Sequence, residues 1–256
     1  MSIEVRNLSF AYEDHGVLHD VSFTVSDGEL LAVLGPNGVG KSTLFYCLSG
    51  LHRPRQGTVT LDGRVIWDIA PKRLARQIAY VPQSHDPTFN YSVADMVLMG
   101  TTARVGGFST PGPEEVAIAR DALDRVGISH LARRGYQQIS GGERQLTLIA
   151  RALAQQAGVV VMDEPTANLD FGNQLRILST AKELAGREHT VILSTHNPDH
   201  VFWFADRVLA LSGGRVVADG PPRSVLTPDL IETLYGVRVR LIETEEGRVS
   251  CQPTLT

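Results

Sequence analysis

Residues 35–43 read GPNGVGKST and constrain this chain more than any other stretch, placing Gly35, Gly40, Lys41 and Ser42 in the spacing Gly-x-x-x-x-Gly-Lys-Ser/Thr. An apolar run at 30–34 precedes them and a helical pattern over 43–48 follows, so strand, loop and helix are expected in succession. That order suits phosphate capture. Small residues at Gly35, Gly38 and Gly40 let backbone N–H groups turn inward around an anion, and the helix behind them offers its positive end to the same place. Pro36, Asn37 and Thr43 complete the loop. Lys41 can reach the β- and γ-phosphates of a nucleoside triphosphate, and the Ser42 hydroxyl can ligate Mg²⁺. The competing reading is a glycine-rich turn that fits the pattern by chance. The loop by itself does not say what hydrolysis would be used for.

A chain of 256 residues, 43% hydrophobic and 20% charged, has the make-up of an ordinary globular protein and is long enough for one large α/β domain with an inserted subdomain. Its net charge of −4 gives no footprint for nucleic acid or for an anionic membrane. The two cysteines, Cys47 and Cys251, suggest no disulfide framework; Cys47 falls in the helix after the phosphate loop and reads as core. The opening residues do not resemble a signal peptide, and no run reaches the roughly twenty apolar residues of a membrane span. A cytoplasmic protein is therefore expected.

Ahead of the loop, Ile3, Val5 and Leu8, then Val21, Phe23 and Val25, alternate as strands, with a turn at Asp27 and Gly28 before the run at 30–34. This predicts an antiparallel β layer feeding the phosphate-loop strand. Tyr12, placed before the layer's second strand, is either a base-stacking ring or a half-buried strand aromatic. After the loop helix, 57–61 and 78–81 read as strands, the second leading into Pro82 and Gln83. Residues 84–112 are rich in Ser, Pro, Thr and Gly around one short helix at 93–99. A helix over 113–126 follows, with Pro113 in its first turn and Glu114 and Glu115 beside its positive end. Residues 84–157 are expected to form a helical subdomain inserted between two core strands. The core would then comprise 1–83 and 158–225, with a small appendage at 226–256.

Three further places carry chemistry. Ser140, Gly141, Gly142 and Glu143 open a helix running to about Gln156. Ser followed three residues later by Glu is a capping box and needs no function, yet two intervening glycines cost helix stability and expose N–H groups, as an anion receptor would. The run Val159, Val160, Val161, Met162, Asp163, Glu164 reads as a buried parallel strand ending in two acids, where ligands of open α/β sheets collect. Asp163 can hold Mg²⁺, directly or through water, and Glu164 can act as general base; two acids in a solvated turn is the bland alternative. A helix over 172–185 and a strand over 190–194 lead to Thr195 and His196; a lone histidine is more often a hydrogen-bonded structural residue, yet this one ends its strand in the same position as Asp163, where a γ-phosphate contact is open to it. A hairpin around Gly213 and Gly214, a short helix at 228–235 and an alternating stretch at 237–242 close the chain without readable chemistry.

In this order and spacing, these elements resemble the ATP-binding subunit of ABC transporters over essentially the whole chain. GPNGVGKST looks like that family's Walker A, Gln83 its Q-loop, ISGGERQ its signature, VVVMDE its Walker B, ANLD its D-loop and His196 its switch histidine. The resemblance implies an α/β P-loop core with a mainly parallel sheet, an N-terminal antiparallel β layer and the inserted helical subdomain. It also implies ATP and Mg²⁺ as ligands, Tyr12 as the adenine-stacking ring, and Ser42, Gln83 and Asp163 around the metal. Two departures fall in the signature: Ile139 stands for Leu, and Glu143 for Gln, which keeps the capping box but brings a negative charge.

In this family two subunits dimerise head to tail. Each ATP then lies between Walker A of one copy and Ser140, Gly141 and Gly142 of the other, with Asp170 at the dimer interface. The stretches at 91–100, 163–174 and 226–239 resemble the importer branch that serves iron-siderophore, haem, cobalamin and, in some members, molybdate uptake. Transmembrane permease subunits and, indirectly, a substrate-binding protein are the partners so implied, and the cytoplasmic face of the membrane the location. The competing classes are a soluble ABC ATPase scaffold, as in iron-sulfur cluster assembly, and a nucleic-acid-directed ABC ATPase. The acidic charge and the lack of a long heptad insertion weigh against the last.

Overall fold

Strands that expose one face and strands that hide both sort into two separate sheets. The computed structural model describes residues 1–84, 89–104, 110–186 and 189–254. β1 (Ile3–Tyr12) and β2 (His15–Val25) mix buried with exposed positions, whereas every residue of β3 (Leu30–Leu34) is buried. α1 (Lys41–Leu48), β4 (Gln56–Leu61), β5 (Arg64–Val65), α2 (Pro71–Leu74) and β6 (Ile78–Val81) follow. Three helices come next, α3 (Val93–Leu98), α4 (Pro113–Arg125) and α5 (Gly141–Ala154), and then β7 (Val159–Met162). α6 (Phe171–Leu184), β8 (Thr190–Thr195), α7 (Pro198–Phe204), β9 (Arg207–Ser212) and β10 (Arg215–Gly220) complete the core. The chain then runs through α8 (Pro222–Val225), α9 (Pro228–Tyr235), β11 (Val239–Glu243) and β12 (Val249–Pro253). Of the loop-like stretch expected over 84–112, residues 85–88 and 105–109 lie outside the described residues.

The first sheet has the order β2-β1-β4-β5 and is antiparallel; the second has the order β10-β9-β3-β8-β7-β6. In the second sheet β3 sits between β9 and β8 and pairs with both in parallel, while β10 is an antiparallel edge. β6 and β7 are parallel neighbours, so α3, α4 and α5 leave and re-enter the sheet between adjacent strands. The turn at Asp27 and Gly28 hands the chain from one sheet to the other.

Burial explains the apolar runs. Leu31 and Val33 of β3 pack with Leu44, Phe45 and Leu48 of α1 and with the antiparallel sheet. Leu30, Ala32 and Leu34 face the opposite way, into a second cluster with residues of α3, α4, α5 and α6. A strand between two cores must be apolar at every position. β2 begins at His15, earlier than the alternation at Val21, Phe23 and Val25 implies, because bulges between Leu8 and Phe10 and between Phe10 and Ala11 interrupt the register opposite it.

One buried histidine sets an acid limit on stability. His200, 7% exposed in α7, places Nδ1 3.3 Å from Thr195 Oγ1. Burial, and then the charge of His196, lowers its pKa to about 4. The unfolded chain, with a value near 6.5, binds this proton first as pH falls. The contribution of this group to stability therefore rises with pH between about 4 and 6.5 and is lost on acidification. His200→Asn should flatten that slope in denaturant melts taken at pH 4.5 and 7, whereas an unchanged slope would assign the acid limit elsewhere.

Candidate nucleotide site

The loop after β3 turns at Gly40, whose φ of 107° belongs to glycine and whose missing side chain leaves α1 without a cap. No acid occupies the first turn of α1. Its first N–H groups therefore await an outside acceptor. Lys41 is 4% exposed, and its Nζ donates to Gly35 O at 2.8 Å and to Pro36 O at 3.0 Å. The same ammonium lies 3.0 Å from Glu164 Oε1. An uncapped helix end next to a buried cation is a fitting receptor for a polyphosphate.

Glu164 follows β7 with its backbone at φ 40°, an uncommon conformation for a side-chain-bearing residue. Its second oxygen is 3.5 Å from His196 Nδ1, so one carboxylate stands between the loop lysine and the histidine. Asp163 is 3% exposed and oriented from both sides: Ser194 Oγ donates to Oδ1 at 2.8 Å and the Tyr80 hydroxyl donates to Oδ2 at 3.3 Å. Ser194 Oγ also accepts the Glu164 N–H at 2.7 Å, so one hydroxyl fixes both acids. Burial, then the Asp163 charge, drives the Tyr80 phenol far up, which keeps it a donor.

Asp163 directly follows β7 and His196 directly follows β8, so each stands at the carboxyl end of its strand. Met162 pairs with Leu193, which brings Ser194 beside Asp163, and His196 meets Glu164 from two residues further on. Neither Ser194 nor Tyr80 stood out, because a lone hydroxyl inside a strand carries no signal until the strand order is known.

A cleft of about 550 Å³ gathers the expected residues: Tyr12, Asn37, Gly38, Gly40, Lys41, Ser42, Thr43, Gln83 and Glu164 line it, with His15 and Val17 of β2 added. Gly35 and Pro36 supply carbonyls to Lys41 rather than wall. Tyr12 ends β1 and is 44% exposed, its ring edge-on to Phe10 at a centroid distance of 4.9 Å and to His52 at 5.8 Å. It is thus a half-exposed aromatic in the cleft wall.

Ser140, Gly141, Gly142, Glu143 and Asp170 do not line this cleft. They start helices elsewhere. Ser140 Oγ accepts the Glu143 N–H at 3.3 Å, and Glu143 Oε2 accepts the Ser140 N–H and hydroxyl, each at 2.8 Å. Those bonds hold the Glu143 carboxyl below its usual range. Asp170 caps α6 by accepting the Asn173 N–H at 2.9 Å and the Asn173 Nδ2 at 2.7 Å, which likewise lowers its pKa.

Gly142 has a packing reason that sequence could not supply, since a Cβ there would come within 2.6 Å of the Asn173 side chain. At Gly141 the nearest atom is Leu169 Cδ2 at 3.5 Å, an ordinary contact. Gly142→Ala is therefore expected to destabilise by about 1–2 kcal/mol, while Gly141→Ala stays within about 0.5 kcal/mol of the parent. Denaturant midpoints compare the two directly.

With this geometry in place, the comparisons define the class. A model of the ABC transporter family matches residues 18–167, and the chain belongs to that family as an ABC transporter ATPase. An ABC transporter ATP-binding protein of Haemophilus influenzae is 40% identical over 94% of this chain and 92% of its own length. The hemin import ATP-binding protein HmuV of Rhodopseudomonas palustris is 38% identical over 99% of this chain and 95% of its own. The cobalamin import ATP-binding protein BtuD of Halobacterium salinarum is 37% identical over 99% of this chain, which spans 64% of that protein's length. The molybdate import ATP-binding protein MolC of Haemophilus influenzae is 37% identical over 91% of this chain and 88% of its own. Among solved structures, an ABC transporter described as metal-chelate type, in an inward-facing conformation, superposes with a TM-score of 0.88 at 34% identity, covering 99% of this chain and 97% of that one. Among the described residues, no helix is long and apolar enough to cross a membrane.

Proposed function

We propose that this chain is the ATP-hydrolysing subunit of an importer for a metal chelate or related cargo of the iron-siderophore, haem, cobalamin or molybdate kind. The observation that carries the reading is the buried Lys41–Glu164 pair beside the uncapped start of α1; the import relatives supply the cargo class. Lys41 and the loop N–H groups bind the phosphates, Tyr12 stacks on the base, and Glu164 takes the proton of the attacking water while His196 steadies its second oxygen. Mg²⁺, when bound, withdraws charge from the phosphate oxygens. Ser42, Gln83 and Asp163 are the residues that would hold it. Among the described residues no group of three or more His, Cys, Asp or Glu forms a metal cage, which suits an ion that keeps phosphate and water ligands.

Ser140, Gly141, Gly142 and Glu143 lie outside their own chain's cleft, and this supports a head-to-tail dimer in which they close the ATP site of a second copy. Asp170, capping α6 beside them, would stand at the same interface. Permease subunits, with α3 to α5 near Gln83 as their docking side, and an indirectly coupled substrate-binding protein complete the assembly on the cytoplasmic face of the membrane. Detergent-solubilised membranes should yield this chain together with a multi-span permease. Recovery only with soluble scaffold proteins would contradict the importer reading.

A further inference from the structure

The carboxyl-terminal appendage, which nucleotide chemistry leaves without a task, is fastened to the helix that follows His196. In the first turn of α7, Asp199 Oδ1 accepts the Cys251 backbone N–H at 2.7 Å. In its last turn, Trp203 Nε1 donates to Val249 O at 2.9 Å. Both partners belong to β12, so a single strand staples α7 at its two ends. The hairpin is itself braced by Arg223, whose Nη1 donates to Glu243 Oε1 at 2.8 Å.

At the start of α7 the hold continues into the segment that carries His196. Asn197 Oδ1 accepts the Asp199 N–H at 2.9 Å, and Thr195 Oγ1 accepts the Asn197 N–H at 3.1 Å. His196 is thereby bracketed by two residues fixed in place, and its Nδ1 rests 3.5 Å from Glu164 Oε2. Tyr235, at the end of α9, has a buried hydroxyl with no hydrogen-bond partner among the described residues. Burial, then the charge of Glu164, drives that phenol's pKa up.

We propose that the hairpin of β11 and β12 is a positioning clamp for His196: by holding Asp199 and Trp203 it fixes the start of α7 and, through it, the contact between His196 and Glu164. The proposal rests on the roles given to those two residues above. Displacements of about 1 Å in a catalytic arrangement can cost up to about a hundredfold in rate, so a staple one residue removed from the histidine's loop has leverage on turnover without touching ATP. Asp199 and Trp203 are positioning residues in this account, because they act through His196.

The test uses the full chain and compares kcat and KM for ATP across variants, with amide exchange at Cys251 as the report on the staple. Asp199→Ala should speed that exchange and lower kcat about five- to twentyfold with KM within about twofold. Asp199→Asn keeps an oxygen for the Cys251 N–H and should restore kcat to within about twofold of the parent. Trp203→Phe keeps a ring in place, loses only the indole donor, and should lower kcat in the same direction even if the alanine variant folds poorly. A clamp that only adds stability would lower the melting temperature and leave kcat alone. Unchanged kcat with faster Cys251 exchange, or a kcat loss that Asp199→Asn fails to rescue, would overturn the proposal while Glu164→Gln still slows turnover by about two orders of magnitude or more. Parental turnover by Glu164→Gln would overturn the site assignment and the clamp together.

Discussion

Glu164→Gln is expected to bind ATP and to hydrolyse it about two to four orders of magnitude more slowly, the usual range for losing a general base. The substitution is nearly isosteric, and it adds no cost at the φ of 40° already adopted there. Lys41 would lose a carboxylate 3.0 Å away but keep the Gly35 and Pro36 carbonyls, so the phosphate receptor stays in place. What disappears is the group that can accept a proton. With hydrolysis stopped, ATP should hold two copies together, visible as a nucleotide-dependent doubling of mass by light scattering. Near-parental turnover would remove Glu164 from the role of base.

Lys41→Ala should act on the other half of the chemistry and weaken ATP binding by about ten- to a hundredfold, the worth of one charge-assisted hydrogen bond at about 1.5–3 kcal/mol. The ammonium is buried at 4% exposure and held by acceptors of its own chain at the mouth of the loop. Removing it also leaves the Glu164 carboxylate, 14% exposed, without a cation beside incoming phosphate. Titration with a fluorescent nucleotide reads the loss, and affinity within about twofold of the parent would contradict the assignment. The two variants separate binding from chemistry: one keeps affinity and loses turnover, the other loses affinity first.

The parts of this molecule that local pattern governs were legible in the sequence. Buried on both faces, β3 and β7 read as unbroken apolar runs, and the phosphate loop showed itself because its glycines, lysine and serine must fall at fixed spacings. What depends on strand order was hidden. Ser194 and Tyr80 reach Asp163 only because β8 and β6 flank β7, a pairing between segments 31 and 83 residues away in sequence. The same limit concealed why Gly142 is small, since Asn173 sits on the next helix along the chain. The hairpin β11–β12 showed only an alternating stretch, and the strand that completes it, β12, is five residues long with Val249 and Cys251 as its apolar positions before Pro253, too short a pattern to stand out.

On the proposed reading one chain holds half of an ATP site, Lys41 and Glu164, and Ser140 to Glu143 of a second copy supply the rest. The most direct measurement is the specific ATPase activity of the isolated chain as a function of its own concentration. Turnover per chain should rise with concentration and level off as dimers fill. Specific activity that stays constant across a hundredfold range of dilution, with the chain monomeric throughout, would show that one copy suffices and would contradict the account.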